Sequence, residues 1–390
     1  MIAALCVFAA SAAVCAYVYF GYPALLFLLS RTRPRPVTRR RVRPAVSLIV
    51  PVHNEEAVVE AKIRNSLALA YPEGLLEVLV VSDGSTDGTE AIAARHEGPG
   101  LRLLRLPRQG KAAALNEGAR QARGEVLVFT DANAMLEPDS VERLVEGFAD
   151  PAVGGVCGNK KHRAAIRADA TEGGEDLYWR YDKWQKGLES DLGSIFAADG
   201  ALYAVRRALY VPIADPAQAD DIAISTRIVL QGFRLVYEPR AVAWEEAPVE
   251  GRDEFRRKVR VTNHSVRALL GLGAALWTTG FYSVELVSHK LLRHLVPFFL
   301  IALFASNLVL ATWMRPFGVV LGLQAAFYAF ALVGFTARRT GPGRSRLLTV
   351  PYYFCLVNAA AFLGVVSILR GDRVRAWTPR SGLAQKEKTE

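Results

Sequence analysis

The chain of 390 residues is 51% hydrophobic and carries 48 Lys and Arg against 38 Asp and Glu, a formal net charge of +10. That length holds more than one structural unit, and a positive mean hydropathy argues against a wholly soluble protein. The four cysteines form no CxxC and no pairing framework, and Cys6, Cys15 and Cys355 lie in apolar stretches. A disulfide scaffold and a structural zinc site are therefore unsupported.

In chain order, Ile2–Leu29 is a charge-free run, long enough to cross a bilayer, for which a helix needs about 20 residues. No basic stretch precedes it and its positive flank follows it, so it reads as an anchor and not as a cleaved signal. Arg31–Arg43 then contributes seven arginines. The positive-inside rule puts this flank, and the domain after it, in the cytoplasm. Contact with anionic lipid explains the basic segment more simply than nucleic acid does. Three later apolar runs, Leu295–Trp313, Phe317–Ala337 and Leu348–Leu369, predict further crossings. Arginines flank the last of them on both sides (Arg338, Arg339, Arg344, Arg346; Arg370, Arg373, Arg375), which leaves the side of the tail open. The predicted organisation is an anchor at 1–30, a basic linker at 31–44 and a cytoplasmic α/β domain at 45–262. After these come an interfacial segment at 263–292, about three transmembrane helices at 293–370 and a basic tail at 371–390.

Within the domain, "AVSLIVPV" (Ala45–Val52) is a continuous apolar run, as in a buried parallel strand. A helical stretch, "EEAVVEAKIRNSLALA", follows. A second strand predicted over Glu77–Val81 runs into "SDGSTDGT", a helix at about Glu90–Glu97 leads to "LRLLRLP", and a helix from Lys111 to Ala122 leads to "GEVLVFTDAN". Strands alternating with helices at this spacing predict right-handed crossovers and a doubly wound, mostly parallel sheet.

The strand ends are polar: His53-Asn54-Glu55 after the first, Ser82-Asp83-Gly84 after the second, Thr130-Asp131 after the fourth, with Lys111 a few residues beyond the third. In an open α/β sheet these ends share one edge, where ligands bind. Any one of them could be a turn or a helix cap; their coincidence favours a site. A nucleotide diphosphate uses the set best. Asp83 would accept from a ribose or base edge, Lys111 would meet the diphosphate, and Asp131 would hold a divalent cation through hard oxygen ligands. The chain has no GxxxxGK[ST], and no GxGxxG follows the first strand, so neither an ATPase nor a dehydrogenase is supported. Transfer from a nucleotide-activated donor is the reaction class left.

"PVHNEE", "VVSDGSTDGT", "GKAAALNEGARQARGEVLVFTDANAML", "DGALYAVRR" and "DDIAISTRIVLQGFRLVYEP" resemble, in order, the motifs of the inverting family 2 glycosyltransferases, over about Pro44–Val261. The flanking apolar runs suit the membrane-bound branch of that family. The resemblance implies a GT-A fold, with Pro51, His53, Asn54, Glu55, Asp83 and Lys111 at the nucleotide. Asp131 matches the first acid of an Asp-x-Asp metal motif for Mg2+ or Mn2+. Asn133 replaces the second acid, a departure that similar members share. Asp199 and Gly200 in "ADGALYAVRR" would line the acceptor side. Asp220 and Asp221 match an acidic pair whose second member is the general base; the alternative is that they cap the helix beginning "IAISTRIVLQG".

"EFRRKVRVTNHSVRALL" stands where the family has Gln-x-x-Arg-Trp, so that Arg257 replaces the Gln, Arg260 matches the Arg and Val261 replaces the Trp. Loss of that Trp argues for addition of one or a few sugars over processive synthesis. Arg257 and Arg260 suit a diphosphate or lipid phosphate, or a basic interfacial helix on headgroups. The expected partners are a nucleotide sugar, UDP-linked, a lipid-linked or saccharide acceptor and membrane lipids, with no nucleic acid. The expected place is the bacterial inner membrane, in cell-envelope or exopolysaccharide synthesis. The alternatives are a processive polysaccharide synthase and a catalytically silent nucleotide-binding membrane sensor or transport partner.

Overall fold

The computed structural model describes residues 1–163, 171–215, 218–246, 251–337 and 345–372. The expected basic tail, 371–390, falls outside these except for its first two residues, as do Arg338, Arg339, Arg344, Arg373 and Arg375. Two compact units form. One is built on residues 34–163, 189–215 and 218–246, the other on residues 1–33, 171–188, 251–337 and 345–372.

The first unit holds a sheet of β1 (Val46–Val52), β2 (Leu76–Asp83), β3 (Leu101–Leu106), β4 (Val126–Phe129), β5 (Met135–Leu136), β6 (Val153–Arg163), β7 (Tyr203–Arg206) and β8 (Arg234–Glu246). Their order is β3-β2-β1-β4-β7-β6-β8-β5. The first four strands are parallel, as the alternation of strand and helix requires. Beyond β4 the sheet is mixed: β7 runs antiparallel to both β4 and β6, β6 is parallel to β8, and β5 is antiparallel to β8. β7 lies inside the segment expected to line the acceptor side, and its four residues are too few for a periodicity signal.

Both faces of the sheet are covered. Val46, Leu48 and Val50 of β1 share one core with Val78, Val80, Val126 and Val128. Ile49, Leu79, Val81, Leu127 and Phe129 point into a second core with the Lys111–Gln121 and Asp220–Leu230 helices. This period of two along strands buried on both sides is why they read as unbroken apolar runs. Pro51 is tolerated in the central strand for a local reason. Odd-numbered residues of β1 bond toward β4, as Ile49 does when its carbonyl accepts from Thr130 N at 3.2 Å. The β1–β4 register ends at Ile49, so no ladder bond is lost at Pro51.

In the second unit, Ile2–Thr32, Phe281–Ala311, Arg315–Ala337 and Arg346–Leu369 are long and apolar enough to cross a membrane. The second of these begins at Phe281, earlier than the apolar run in the sequence. His289 and Lys290 give that stretch a polar appearance, but His289 is buried and its ring pairs with Asp182 at 3.2 Å. Asp182 also meets Arg293 at 3.3 Å and Lys186 at 3.6 Å. Arg293 lies over the Tyr178 ring at 4.7 Å, and Lys258 lies over Tyr178 at 4.7 Å and Trp179 at 5.3 Å. The Gly251–Gly271 helix carries Arg257 and Arg260.

Candidate functional site

The site is built at the C-terminal edge of the parallel strands. β4 ends at Phe129, and the chain turns through Asp131-Ala132-Asn133-Ala134, closed by Ala134 N donating to Asp131 O at 3.1 Å. Lys111 opens the Lys111–Gln121 helix, preceded by Gly110 at φ +99°, a conformation open to glycine. Its Nζ meets Asp131 Oδ1 at 2.8 Å and Asp220 Oδ2 at 2.9 Å. Burial opposes the charge on Lys111, but Asp131 and Asp220 outweigh it and hold the ammonium above its ordinary range. Lys111 is therefore a permanent cation at this edge.

Asp220 and Asp221 lie in the first turn of the Asp220–Leu230 helix, where free N–H groups favour anions. Asp221 Oδ1 accepts from Ile222 N at 2.8 Å. The helix-terminal and functional readings thus coexist. Ser225, one turn on, donates to Asp221 O at 2.6 Å and accepts from Ala198 N at 3.1 Å. That hydroxyl ties the Asp221 turn to the Asp199-Gly200 turn. A side chain at Gly200 would begin 3.5 Å from Asp131 Oδ2, 3.8 Å from Asp221 Oδ2 and 3.8 Å from Lys111 Nζ. Gly200 therefore leaves the space between these groups open. Asp199 accepts from Ala201 N at 3.1 Å and pairs with Lys160 Nζ at 2.9 Å. Burial, then the charges of Asp220 and Asp199, push the Asp221 carboxyl up to about 6.

The nucleotide-side residues form a neighbouring group. His53 Nδ1 lies 2.9 Å from Asp83 O. Asn54, at φ +53°, accepts from Thr86 N at 2.7 Å, and Glu55 N donates to Thr89 Oγ1 at 2.8 Å. Asp83 is 0% exposed. Its Oδ1 accepts from Gln109 N at 2.7 Å and Gly110 N at 2.9 Å, and its Oδ2 receives Arg108. The carboxylate of Asp83, expected at the nucleotide, also holds the loop that presents Lys111. Asn133 is half-buried in the Asp131 turn, and its side chain has no hydrogen-bond partner among the described residues. Arg257 and Arg260 belong to the helical unit.

Three residues escaped the sequence reading: Lys62, Lys160 and Ser225. Lys62 left a signal, since it lies on the apolar face of its helix with Val59, Ile63 and Ser66. Lys160 and Ser225 left none, because Asp199 and Ala198, the groups they reach across the site, are distant from them in sequence.

Among the described residues no group of three or more His, Cys, Asp or Glu is arranged to hold a metal ion alone. Asp131, Asp199, Asp220 and Asp221 nonetheless face Lys111 and Lys160, which leaves carboxylate charge in excess. This donor set fits a hard cation that arrives with oxygen ligands of its own.

Residues 47–210 match the family model described as glycosyl transferase family 2. The chain is similar to a probable glycosyltransferase of Bacillus subtilis, YdaM, at 28% identity over 227 residues, 56% of this chain and 54% of that protein. It is also similar to the poly-beta-1,6-N-acetyl-D-glucosamine synthase of Staphylococcus aureus, at 27% identity over 224 residues, 55% of this chain and 53% of that one. The match thus spans about half the length of each of these relatives. Among solved structures, a mannosyltransferase from Pyrobaculum calidifontis in complex with GDP-Man and Mn2+ superposes with a TM-score of 0.72 at 26% identity. That alignment covers 93% of this chain and 99% of the mannosyltransferase.

Proposed function

We propose, from the match of residues 47–210 to the family 2 glycosyltransferase model, that the chain is an enzyme of that family and moves a sugar, with inversion, from a nucleoside-diphosphate donor to a lipid-linked or saccharide acceptor. The observation that carries this reading is the convergence of Asp131, Asp220, Asp221 and Lys111 around Gly200. Asp221 is the general base. An acceptor hydroxyl is a weak nucleophile until a carboxylate takes its proton. As that O–H bond breaks, the new C–O bond forms at the anomeric carbon and the bond to the diphosphate oxygen breaks on the opposite face. A carboxyl at about 6 is ionised at neutral pH and is a stronger base than an ordinary aspartate.

Asp131, with Asn133 beside it, would hold Mg2+ or Mn2+. When bound, the cation neutralises charge on the departing diphosphate. Lys111 is the fixed cation next to it, and Asp199 orients the acceptor. Pro51, His53, Asn54 and Glu55 line the nucleotide pocket, and Asp83 shapes it through the loop it holds. Arg257 and Arg260 attract a lipid phosphate. We place the reaction at the cytoplasmic face of a bacterial inner membrane, on the strength of the arginine-rich segment and the four apolar helices.

The relatives give a second reading, processive synthesis of a polymer, through the poly-N-acetylglucosamine synthase. The mannosyltransferase likeness extends over far more of the chain, flanking helices included, and single addition is supported by Val261 standing where processive members of the family carry a Trp. The test is release of UDP or GDP from a panel of sugar nucleotides by the detergent-purified chain, with Mn2+, Mg2+ or chelator. We expect release from one donor, dependent on metal and acceptor. Nucleotide binding without release from any donor would establish the silent-sensor alternative, and products that lengthen without dissociating would establish the processive one.

A further inference from the structure

Lys62 is a charged residue with 0% exposure, placed on the Val59–Leu67 helix beneath the Asp131 turn. Burying an ammonium is costly unless its donors are used. Here they are spent on the two ends of one short segment. Nζ donates to Thr130 Oγ1 at 3.0 Å, on the residue before Asp131, and to the carbonyl of Ala134, on the residue after Asn133. Thr130 Oγ1 in turn donates to Ala201 O at 2.8 Å, joining the Asp131 turn to the turn of Asp199 and Gly200. One helical turn on, Asn65 grips the same segment. Its Nδ2 donates to Leu136 O at 2.8 Å, and its Oδ1 accepts from Leu136 N at 2.8 Å. Every contact is to backbone or to a threonine hydroxyl, so Lys62 and Asn65 fix the path of the chain and leave the Asp131 carboxylate free to turn outward.

We infer that Lys62 is a positioning residue of the transfer site: through Thr130 and Ala134 it sets the Asp131–Asn133 turn in the geometry that takes the cation and diphosphate of the donor. The inference rests on the reading of Asp131 as a metal ligand. It adds a buried residue that touches neither metal nor donor and that the family motifs do not include. Groups that orient a metal ligand are worth about 10–100-fold in metal affinity. Burial pulls the Lys62 ammonium down to about 7 against the attraction of Asp131 and Glu245; the charge it keeps acts the other way, since a cation near the site repels another, so the sign of the effect separates the two roles.

The test is calorimetric titration of Mn2+ into the full chain in detergent, with saturating UDP or GDP, for wild type, Lys62→Met and Asp131→Asn. Thermal unfolding and hydrogen exchange of residues 131–136 are followed in parallel. We expect Lys62→Met to weaken Mn2+ binding about tenfold and to speed exchange in that segment, while nucleotide binding without metal stays at the wild-type level. Wild-type or tighter Mn2+ affinity in Lys62→Met, whatever its unfolding temperature, overturns the inference. If Asp131→Asn also keeps wild-type affinity, the metal reading falls and the inference with it. Loss in Asp131→Asn alone removes only the role of Lys62. Should Lys62→Met fail to fold, Thr130→Val, which leaves Lys62 its bond to Ala134, takes its place; a smaller loss of Mn2+ affinity supports the role and an unchanged affinity overturns it.

Discussion

In the sheet unit, four carboxylates gather near Gly200, with Asp131 and Asp220 paired to Lys111 and Asp199 paired to Lys160. In the helical unit the proportions reverse. A buried carboxylate, Asp182, receives His289, Lys186 and Arg293, and Arg293 and Lys258 rest on aromatic faces. The first arrangement stores negative charge beside an open space and suits a cation and a proton that come and go. The second satisfies its charges from within, by ion pairing and by the quadrupoles of Tyr178 and Trp179, and suits a fixed structural joint. Substitutions should therefore uncouple activity from stability in one region and not in the other.

The largest effect is expected at Asp221. Asp221→Asn should lower turnover about 1,000-fold, the scale of a lost general base, with nucleotide binding retained. Because burial and the neighbouring acids raise the Asp221 carboxyl, its ionisation works against the fold. Its contribution to stability is present below the ordinary aspartate range and is lost as pH rises through about 6. The same variant should thus unfold at an equal or higher temperature. A turnover near wild type would remove Asp221 as the base, and a large drop in unfolding temperature would make it structural.

Asp182→Asn should do the opposite, destabilising the chain by about 3 kcal/mol, since it leaves basic groups buried without their carboxylate. Thermal unfolding in detergent checks this; unchanged stability would mean that the cluster is not a structural joint. The smallest and most specific effect is in pH dependence. Turnover should fall about tenfold per pH unit below about 6, as Asp221 takes up its proton, while the pH dependence of Asp182→Asn should keep the same limb. A pH–rate profile shows whether the limb disappears in Asp221→Asn, as it must if Asp221 is the titrating group.

Much of this was legible in the chain. The alternating apolar runs gave the parallel half of the sheet, because strands buried on both faces must be continuously hydrophobic. The polar residues at their ends marked the edge, because ligands meet open sheets there. The family motifs added the acidic pair. The antiparallel half stayed hidden, since β5 and β7 are too short to show a period. The extent of the Phe281–Ala311 helix was concealed by His289, whose polarity is answered by Asp182 more than 100 residues earlier in the chain.

Asn133 and Asp83 show where the line falls. Residue type alone determined that Asp131 is followed by an amide, and hence that a cation there must draw on oxygen ligands from elsewhere. Only the folded chain decided that Asp83 spends its carboxylate on Arg108, Gln109 and Gly110. Only folding, too, put Lys62 under the Asp131 turn, Lys160 against Asp199, and Asp220 and Asp221 beside Lys111. Spacing along a sequence encodes local geometry and the face a residue occupies. Charges, however, interact through space and through burial, and those distances exist only once distant segments have packed.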